Sequence, residues 1–128
     1  MMKKLLIATS LFMLGLQASY ADSKISQQYT ACMNKASSTV SMVQCTSAET
    51  ARQDARLNKA YNGLMSKLSK TRKQELQTAQ RLWIKYRDAN CKFYVDPNGG
   101  SIAQVKGANC VMNETAKRAT ELENLAAL

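Results

Sequence analysis

The segment AQRLWIKYRDANC, residues 79–91, carries the side chains of this chain that come closest to a chemical site. At about 100° per residue, a helix over this segment places Gln80, Trp83, Arg87 and Cys91 on one side. An amide, an indole and a guanidinium on one face can bind a ligand, serve a catalytic site or form a buried polar network. The residues elsewhere in the chain indicate which of these three interpretations applies.

The residue types elsewhere in the chain argue against catalysis. There is no histidine, which removes the commonest general base and every Ser-His or Cys-His nucleophile. The four cysteines form neither a CxxC motif nor a Cys/His cluster, which argues against zinc, and the methionines are scattered rather than aligned in a stripe. We therefore predict no catalytic residue, no metal and no cofactor.

The first 21 residues, MMKKLLIATSLFMLGLQASYA, are typical of a cleaved secretory signal. Two lysines precede an apolar run, and Ser19 and Ala21 supply the small side chains that a signal peptidase requires. The run is shorter than the roughly 20 residues needed to span a bilayer, and no cysteine follows it to take a lipid anchor. We predict that residues 22–128 form one periplasmic or secreted domain without a membrane anchor.

Few helix-breaking residues occur after the leader, and they are concentrated in DPNGG, residues 96–100. Apolar residues at helical spacing therefore predict an all-helical chain. We expect four helices: a short one near residues 23–35, a long one from a turn at residues 36–39 to about residue 68, a third ending near residue 94, and a fourth from residue 101 to the C-terminus. They should form a compact antiparallel bundle.

Two short motifs are expected to mark helix starts. Thr71 with Gln74, and Ser101 with Gln104, have the spacing of a capping box. They are predicted to begin the third and fourth helices.

The four cysteines predict two disulfides, because an even number in a small exported chain is typical of a disulfide framework. Cys91 and Cys110 lie symmetrically about Gly99 and Gly100, and Cys32 and Cys45 lie symmetrically about the SST turn. Two helices folded back on each other bring such positions together. Of the three possible pairings, this symmetry favours Cys32 with Cys45 and Cys91 with Cys110.

Cys110 does not fit the apolar stripe of its own helix. That stripe runs through Ala108, Val111, Thr115, Ala119 and Leu122. We expect Gly107 to loosen the helix and turn the cysteine towards its partner.

A buried polar network is the preferred interpretation of the polar residues in the segment 79–91. Asp54 and Arg87 each lie on the apolar face of their helix, and these two helices are expected to pack antiparallel. Because an unpaired buried charge costs several kcal/mol, Arg87 should pair with Asp54 or Glu49. Trp83 is expected to anchor the core, with ligand stacking as the alternative. The predicted network comprises Glu49, Asp54, Asn58, Gln80, Arg87 and Thr115.

Charge gives a prediction about partners. Without the leader, 16 basic and 9 acidic side chains leave a charge of +7, which favours anionic partners such as envelope polymers or acidic proteins. Nucleic acid is disfavoured, because no aromatic residues interleave with the basic ones as stacking platforms. The candidate contacts are six basic residues on the outer helix faces and one loop aspartate: Arg52, Arg56, Lys59, Lys67, Arg81, Lys85 and Asp96. The alternative is an ordinary solvated face.

The ordered pattern of residues resembles one family. It comprises Cys32, Cys45, Glu49, Asp54, Leu57, Asn58 and Tyr61, then Gln80, Trp83, Arg87, Asp88 and Cys91, then Gly99, Gly100 and Ser101, and finally Cys110, Thr115, Arg118 and Leu122. This set resembles the LprI-like lysozyme-inhibitor domain family. The resemblance implies a helical, disulfide-bonded domain exported by bacteria, and inhibition of c-type lysozyme.

Three functional hypotheses follow. The first is a non-enzymatic envelope protein that binds another protein, with lysozyme inhibition as its specific form and the loop YVDPNGGS, residues 94–101, as its exposed element. The second is a polyanion-binding or envelope-stress protein that uses the basic helical face. An enzyme is the weakest of the three, because no catalytic constellation is present.

Overall fold

The computed structural model describes residues 24–128, and the predicted leader lies outside this part of the chain. It contains four helices: α1 (Gln27–Lys35), α2 (Thr39–Met65), α3 (Lys70–Phe93) and α4 (Ser101–Ala126). Disulfides join Cys32 to Cys45 and Cys91 to Cys110, which are the pairs that the symmetry favoured. The predicted class, an all-helical bundle of one short and three long helices with two disulfides, is confirmed.

Serine side chains begin three of the four helices. The hydroxyls of Ser26, Ser38 and Ser69 accept hydrogen bonds from backbone N–H groups in the first turns of α1, α2 and α3. The capping boxes predicted at Thr71 and Ser101 were wrong. Ser69 already satisfies the start of α3, and α4 follows Gly100, whose φ of 66° turns the chain into the helix without a side-chain cap.

The second helix ends earlier than the sequence predicted. It stops at Met65 rather than near residue 68, because the N–H groups of Lys67 and Leu68 bond to carbonyls three residues back and tighten the chain into a turn. The first helix is also shorter than predicted, beginning at Gln27 rather than near residue 23.

The core lies between α2 and α4. Leu57, Ala60 and Leu64 of α2 pack on Ala119 and Leu122 of α4. The two helices run in the same direction, because contacts along α2 meet successively later positions of α4: Thr46 with Asn109, Arg56 with Ala116, and Lys67 with Ala126.

The third helix packs mainly on α4, and it runs antiparallel to that helix. The predicted close packing of α2 against α3 is wrong. A groove of about 300 Å³ lies between Leu57 and Tyr61 of α2 and Trp83 and Ile84 of α3. The small side chains of α4 explain the difference, since they let α2 approach α4 so closely that α3 becomes an outer helix.

Gly107 has a different role from the one predicted. The helix continues unbroken through Gly107, so the glycine does not loosen it. A Cβ at this position would lie 2.3 Å from Cγ2 of Val95. Gly107 therefore makes room for the chain that leaves α3, and this close approach brings Cys91 and the half-buried Cys110 into bonding distance.

Candidate functional site: the groove, the polar clusters and the stapled loop

The groove between α2 and α3 brings together many residues of the ordered sequence pattern. Its walls combine two aromatic rings, aliphatic side chains, amides and charged groups. They are Asp54, Leu57, Asn58, Tyr61, Gln77, Gln80, Arg81, Trp83, Ile84 and Arg87. Four of the six residues predicted to form a buried network thus line an open groove.

Trp83 lies at the centre of the contacts that attach α3 to α4. The guanidinium of Arg87 lies 5.1 Å from the centroid of the indole ring, and that of Arg118 lies 6.0 Å from it. Arg118 Nε donates to Gln80 Oε1 at 2.9 Å, and Arg87 Nη1 donates to Thr115 Oγ1 at 3.4 Å. Cation–π contacts and hydrogen bonds therefore fix the position of α3 on α4.

Arg87 does not pair with Asp54 or Glu49, which corrects the predicted network. Its guanidinium bonds to the neighbouring Asp88 instead, with Nη2 and Oδ1 2.9 Å apart. Asp54 is exposed, and its carboxylate accepts a 3.4 Å hydrogen bond from Asn58. Because α2 and α3 do not pack closely, an aspartate on this side of α2 needs no buried partner.

Glu49 belongs to a separate cluster at the other side of α2. Its side chain is completely buried. The carboxylate accepts hydrogen bonds from the backbone N–H of Ser26 at 2.9 Å, from Gln53 Nε2 at 2.8 Å and from Arg52 Nε at 2.7 Å, and the Ser26 hydroxyl donates to it as well. Gln53 also donates to the carbonyl of Lys24. Glu49 therefore holds the start of α1 against α2.

These donors determine the charge state of Glu49. Burial raises the pKa of its carboxyl, but the hydrogen bonds from Ser26, Gln53 and Arg52 outweigh burial and lower the pKa from 4.5 to about 2. The group is ionised at neutral pH and acts as a structural anion.

Half of the predicted basic contact residues are already engaged within the fold. Arg52 pairs with Glu49, Arg56 donates to the carbonyl of Ala116 and pairs with Glu123, and Lys67 donates to the carbonyl of Ala126. The Arg52 pair lies within α2, whereas the contacts of Arg56 and Lys67 hold α2 to α4. Lys59, Arg81 and Lys85 are exposed and form no ion pair within residues 24–128, so they remain available to a partner.

The loop after α3 is short and held at several points. Asp96 in this loop is exposed. Its side-chain Oδ1 accepts a hydrogen bond from the N–H of Asn98 at 2.8 Å, and its backbone carbonyl accepts one from the N–H of Gly99 at 2.9 Å. The Cys91–Cys110 disulfide closes the base of the loop. The loop over residues 94–100 is therefore a preorganised, exposed element.

The described residues offer little for catalysis. Among residues 24–128 no cluster of histidine, cysteine, aspartate and glutamate side chains could hold a metal ion. None of the helices within residues 24–128 has an apolar stretch of the length that a lipid bilayer requires. The Ser26 hydroxyl is paired with the carboxylate of Glu49, but this carboxylate is completely buried and also accepts hydrogen bonds from Gln53 and Arg52, so the pair is structural. The groove and the loop are exposed surfaces.

Ser26, Gln53 and Arg118 belong to these clusters, and the sequence patterns did not predict this. A signal existed for Arg118, which lies between Thr115 and Leu122 at helical spacing on the inner side of α4. No comparable signal marked Ser26, because only the fold brings it next to a residue of another helix.

The fold defines the class of the protein: a small all-helical domain with two disulfides. The chain belongs to the family of the lysozyme inhibitor LprI, whose family model matches residues 32–122. This range begins at the first cysteine and ends at a core leucine, so it includes both disulfides, the groove and the loop.

A relative is known from Rhizobium meliloti, where it is described as an uncharacterized protein. It is 30% identical over 105 residues, which cover 71% of this chain and 76% of the relative. No solved structure matches the chain.

Arg87 provides a first test of the α3–α4 contacts. We expect Arg87→Ala to lower the free energy of unfolding by about 1–2 kcal/mol, because the indole and the buried Thr115 hydroxyl both lose a partner. Arg81→Ala, on the same helix but exposed, should change stability by less than about 0.5 kcal/mol. Urea unfolding followed by tryptophan fluorescence measures both, and equal effects of the two variants would contradict the assignment.

Proposed function

We propose that this chain is an exported, non-enzymatic binding protein that inhibits c-type lysozyme. The observation that carries this proposal is the match of the inhibitor family to residues 32–122. Export is supported by the signal-like leader and by the two disulfides, which form in oxidising compartments.

The loop over residues 94–100 is the element that we propose enters the enzyme. A lysozyme cleaves its substrate between two carboxyl groups in a cleft, so an inhibitor needs a protruding element to occupy that cleft. The loop is exposed, Tyr94 at its start is 49% exposed, and the disulfide holds its base. Little conformational entropy is lost when such a loop binds, which favours affinity.

The distribution of charge also favours the side with the loop over residues 94–100 as the contact with lysozyme. Helix α3 contains seven basic and two acidic residues, whereas residues 94–128 contain three basic and four acidic ones. A c-type lysozyme that carries a net positive charge is repelled by α3 and can approach the side formed by the loop and α4. Asp96 is the exposed carboxylate in the loop itself.

The test is lysis of a peptidoglycan substrate by c-type lysozyme in the presence of the purified protein. We expect stoichiometric protein to suppress lysis. We expect Asp96→Asn to weaken inhibition about tenfold, because an asparagine oxygen still accepts the Asn98 N–H while the charge is lost. Asp54→Asn, an exposed carboxylate on α2, is the matched control and should inhibit like the wild type.

Undiminished lysis at micromolar excess would refute lysozyme inhibition. Inhibition that is retained in Asp96→Asn but lost in Asp54→Asn would instead place the contact at the groove between α2 and α3.

The alternative hypothesis, a polyanion-binding protein, assumed a basic face on α2. The fold argues against that face. Arg52, Arg56 and Lys67 are engaged in contacts within the domain, which breaks the basic face proposed on α2. The positive charge that no acidic side chain of residues 24–128 neutralises lies on α3 instead, at residues such as Arg81 and Lys85.

A further inference from the structure

Helix α3 has an outward apolar stripe that no other part of the described chain covers. Leu82, Tyr86, Ala89 and Phe93 follow one another at spacings of four, three and four residues, which places them on one side of the helix. Leu82 is 60% exposed, Tyr86 58% and Phe93 85%. Only Gln80 and Cys91 are buried in this helix of 24 residues. Single exposed apolar residues are common, but a stripe over three turns indicates a binding surface.

A basic edge runs beside this stripe. At about 100° per residue, Arg81, Lys85 and Lys92 lie together on the side of α3 next to the stripe. None of the three forms an ion pair within residues 24–128. The two acidic residues of the helix offer no compensation, because Glu75 is paired with Arg72 and Asp88 with Arg87.

We propose that this outer face of α3, with its apolar stripe and basic edge, docks on the surface of an anionic lipid bilayer. A helix that has aromatic and aliphatic residues on one side and lysine or arginine beside them binds at the interface between headgroups and acyl chains. Aromatic rings such as those of Tyr86 and Phe93 favour this interface. The helix would lie on the membrane, since no helix in the described range can span one.

Charge and hydrophobicity together favour a bilayer over other occupants. A soluble anionic polymer would neutralise Arg81, Lys85 and Lys92 but leave Leu82 and Tyr86 in water. A second copy of the chain would cover the stripe but bring two uncompensated basic edges together. An anionic membrane satisfies both features at once.

The experiment is co-sedimentation of the processed protein with lipid vesicles, after mass spectrometry shows that the apolar leader is absent. Vesicles of equal parts phosphatidylglycerol and phosphatidylcholine are compared with vesicles of phosphatidylcholine alone. We expect binding to the first, weak binding to the second, and a steep decrease with added salt.

Two sets of variants separate the apolar and the charged contributions. The double variants Leu82→Ser/Tyr86→Ser and Arg81→Glu/Lys85→Glu should each reduce binding by about tenfold or more. Lys59→Glu, an exposed lysine of α2 with no ion pair, is the matched charge control and should bind like the wild type. All variants should keep the wild-type helical content, and Leu82→Ser/Tyr86→Ser, which changes no charge, should inhibit lysozyme as the wild type does. Loss of membrane binding in this variant is therefore distinguishable from failure of the proposed inhibition.

Three results would overturn the proposal. Absence of binding to phosphatidylglycerol vesicles at low salt would do so directly. Binding that depends on Arg81 and Lys85 but not on Leu82 and Tyr86 would assign the face to a soluble polyanion. A lipid-free dimer, seen by analytical ultracentrifugation and lost in Leu82→Ser/Tyr86→Ser, would assign the stripe to a second copy.

Discussion

Replacing Glu49 with alanine is expected to lower the free energy of unfolding by about 3 kcal/mol. The carboxylate is completely buried and accepts hydrogen bonds from Ser26, Gln53 and Arg52. Without it, the buried side chain of Gln53 and the partly buried backbone N–H of Ser26 each lose an acceptor. The start of α1 should then detach from α2, and thermal or urea unfolding followed by circular dichroism measures the loss.

The same carboxylate should make stability depend on pH. Because the pKa of Glu49 is about 2 in the folded protein and about 4.5 when unfolded, its contribution is fully present above pH 4.5. It is lost as the pH falls from 4.5 to 2, by about 3 kcal/mol in total. The expected result is a decrease in the urea midpoint across this range.

Two variants serve as controls for this prediction. Glu49→Gln keeps the shape but has no charge to titrate, so this part of the pH dependence should disappear. Asp54→Ala removes an exposed carboxylate of the same helix and should leave both the stability at neutral pH and its pH dependence close to wild type. A wild-type melting temperature for Glu49→Ala would show that the buried cluster contributes nothing.

Removing either disulfide is expected to cost roughly 3 kcal/mol of stability, because the two closed loops are similar in length. The sequence separations are 13 residues for Cys32–Cys45 and 19 for Cys91–Cys110. The chain-entropy contribution depends only on the logarithm of this length, so thermal unfolding should rank the two serine double variants as nearly equal.

The two serine double variants should differ in how strongly they inhibit lysozyme. Cys91→Ser/Cys110→Ser releases the base of the loop over residues 94–100, so inhibition should weaken by about tenfold or more as preorganisation is lost. Cys32→Ser/Cys45→Ser releases only the α1–α2 hairpin and should inhibit normally at a temperature where it is folded. Equal losses in both variants would mean that the loop does not make the contact.

The helical class, the number of helices and the cysteine pairs could be predicted because they depend on local patterns. Helical spacing of apolar residues and the scarcity of breakers define the helices, and the symmetry of cysteines about a turn defines the pairs. Helix ends were less predictable. Thr71 and Ser69 are both acceptable caps by residue type, and only the position of the preceding turn decides between them.

The partners of buried charges could not be predicted, because they depend on which helices are neighbours. Ala116 and Ala119 are completely buried in α4, and such small side chains allow α2 to approach closely. In sequence they are weakly hydrophobic and gave no sign that α4, rather than α3, is the main neighbour of α2. The same geometry exposes Asp54 and directs Arg87 to Asp88 and Thr115.

The parallel arrangement of α2 and α4 has a consequence for how the chain folds. The contacts that join these helices link residues about 60 positions apart, such as Arg56 with Ala116. Local hairpins can close early, whereas the core forms only when the last helix reaches α2. Until then the apolar side of α2 has no permanent cover, and exposed apolar surface of this kind makes a partly folded chain prone to aggregation.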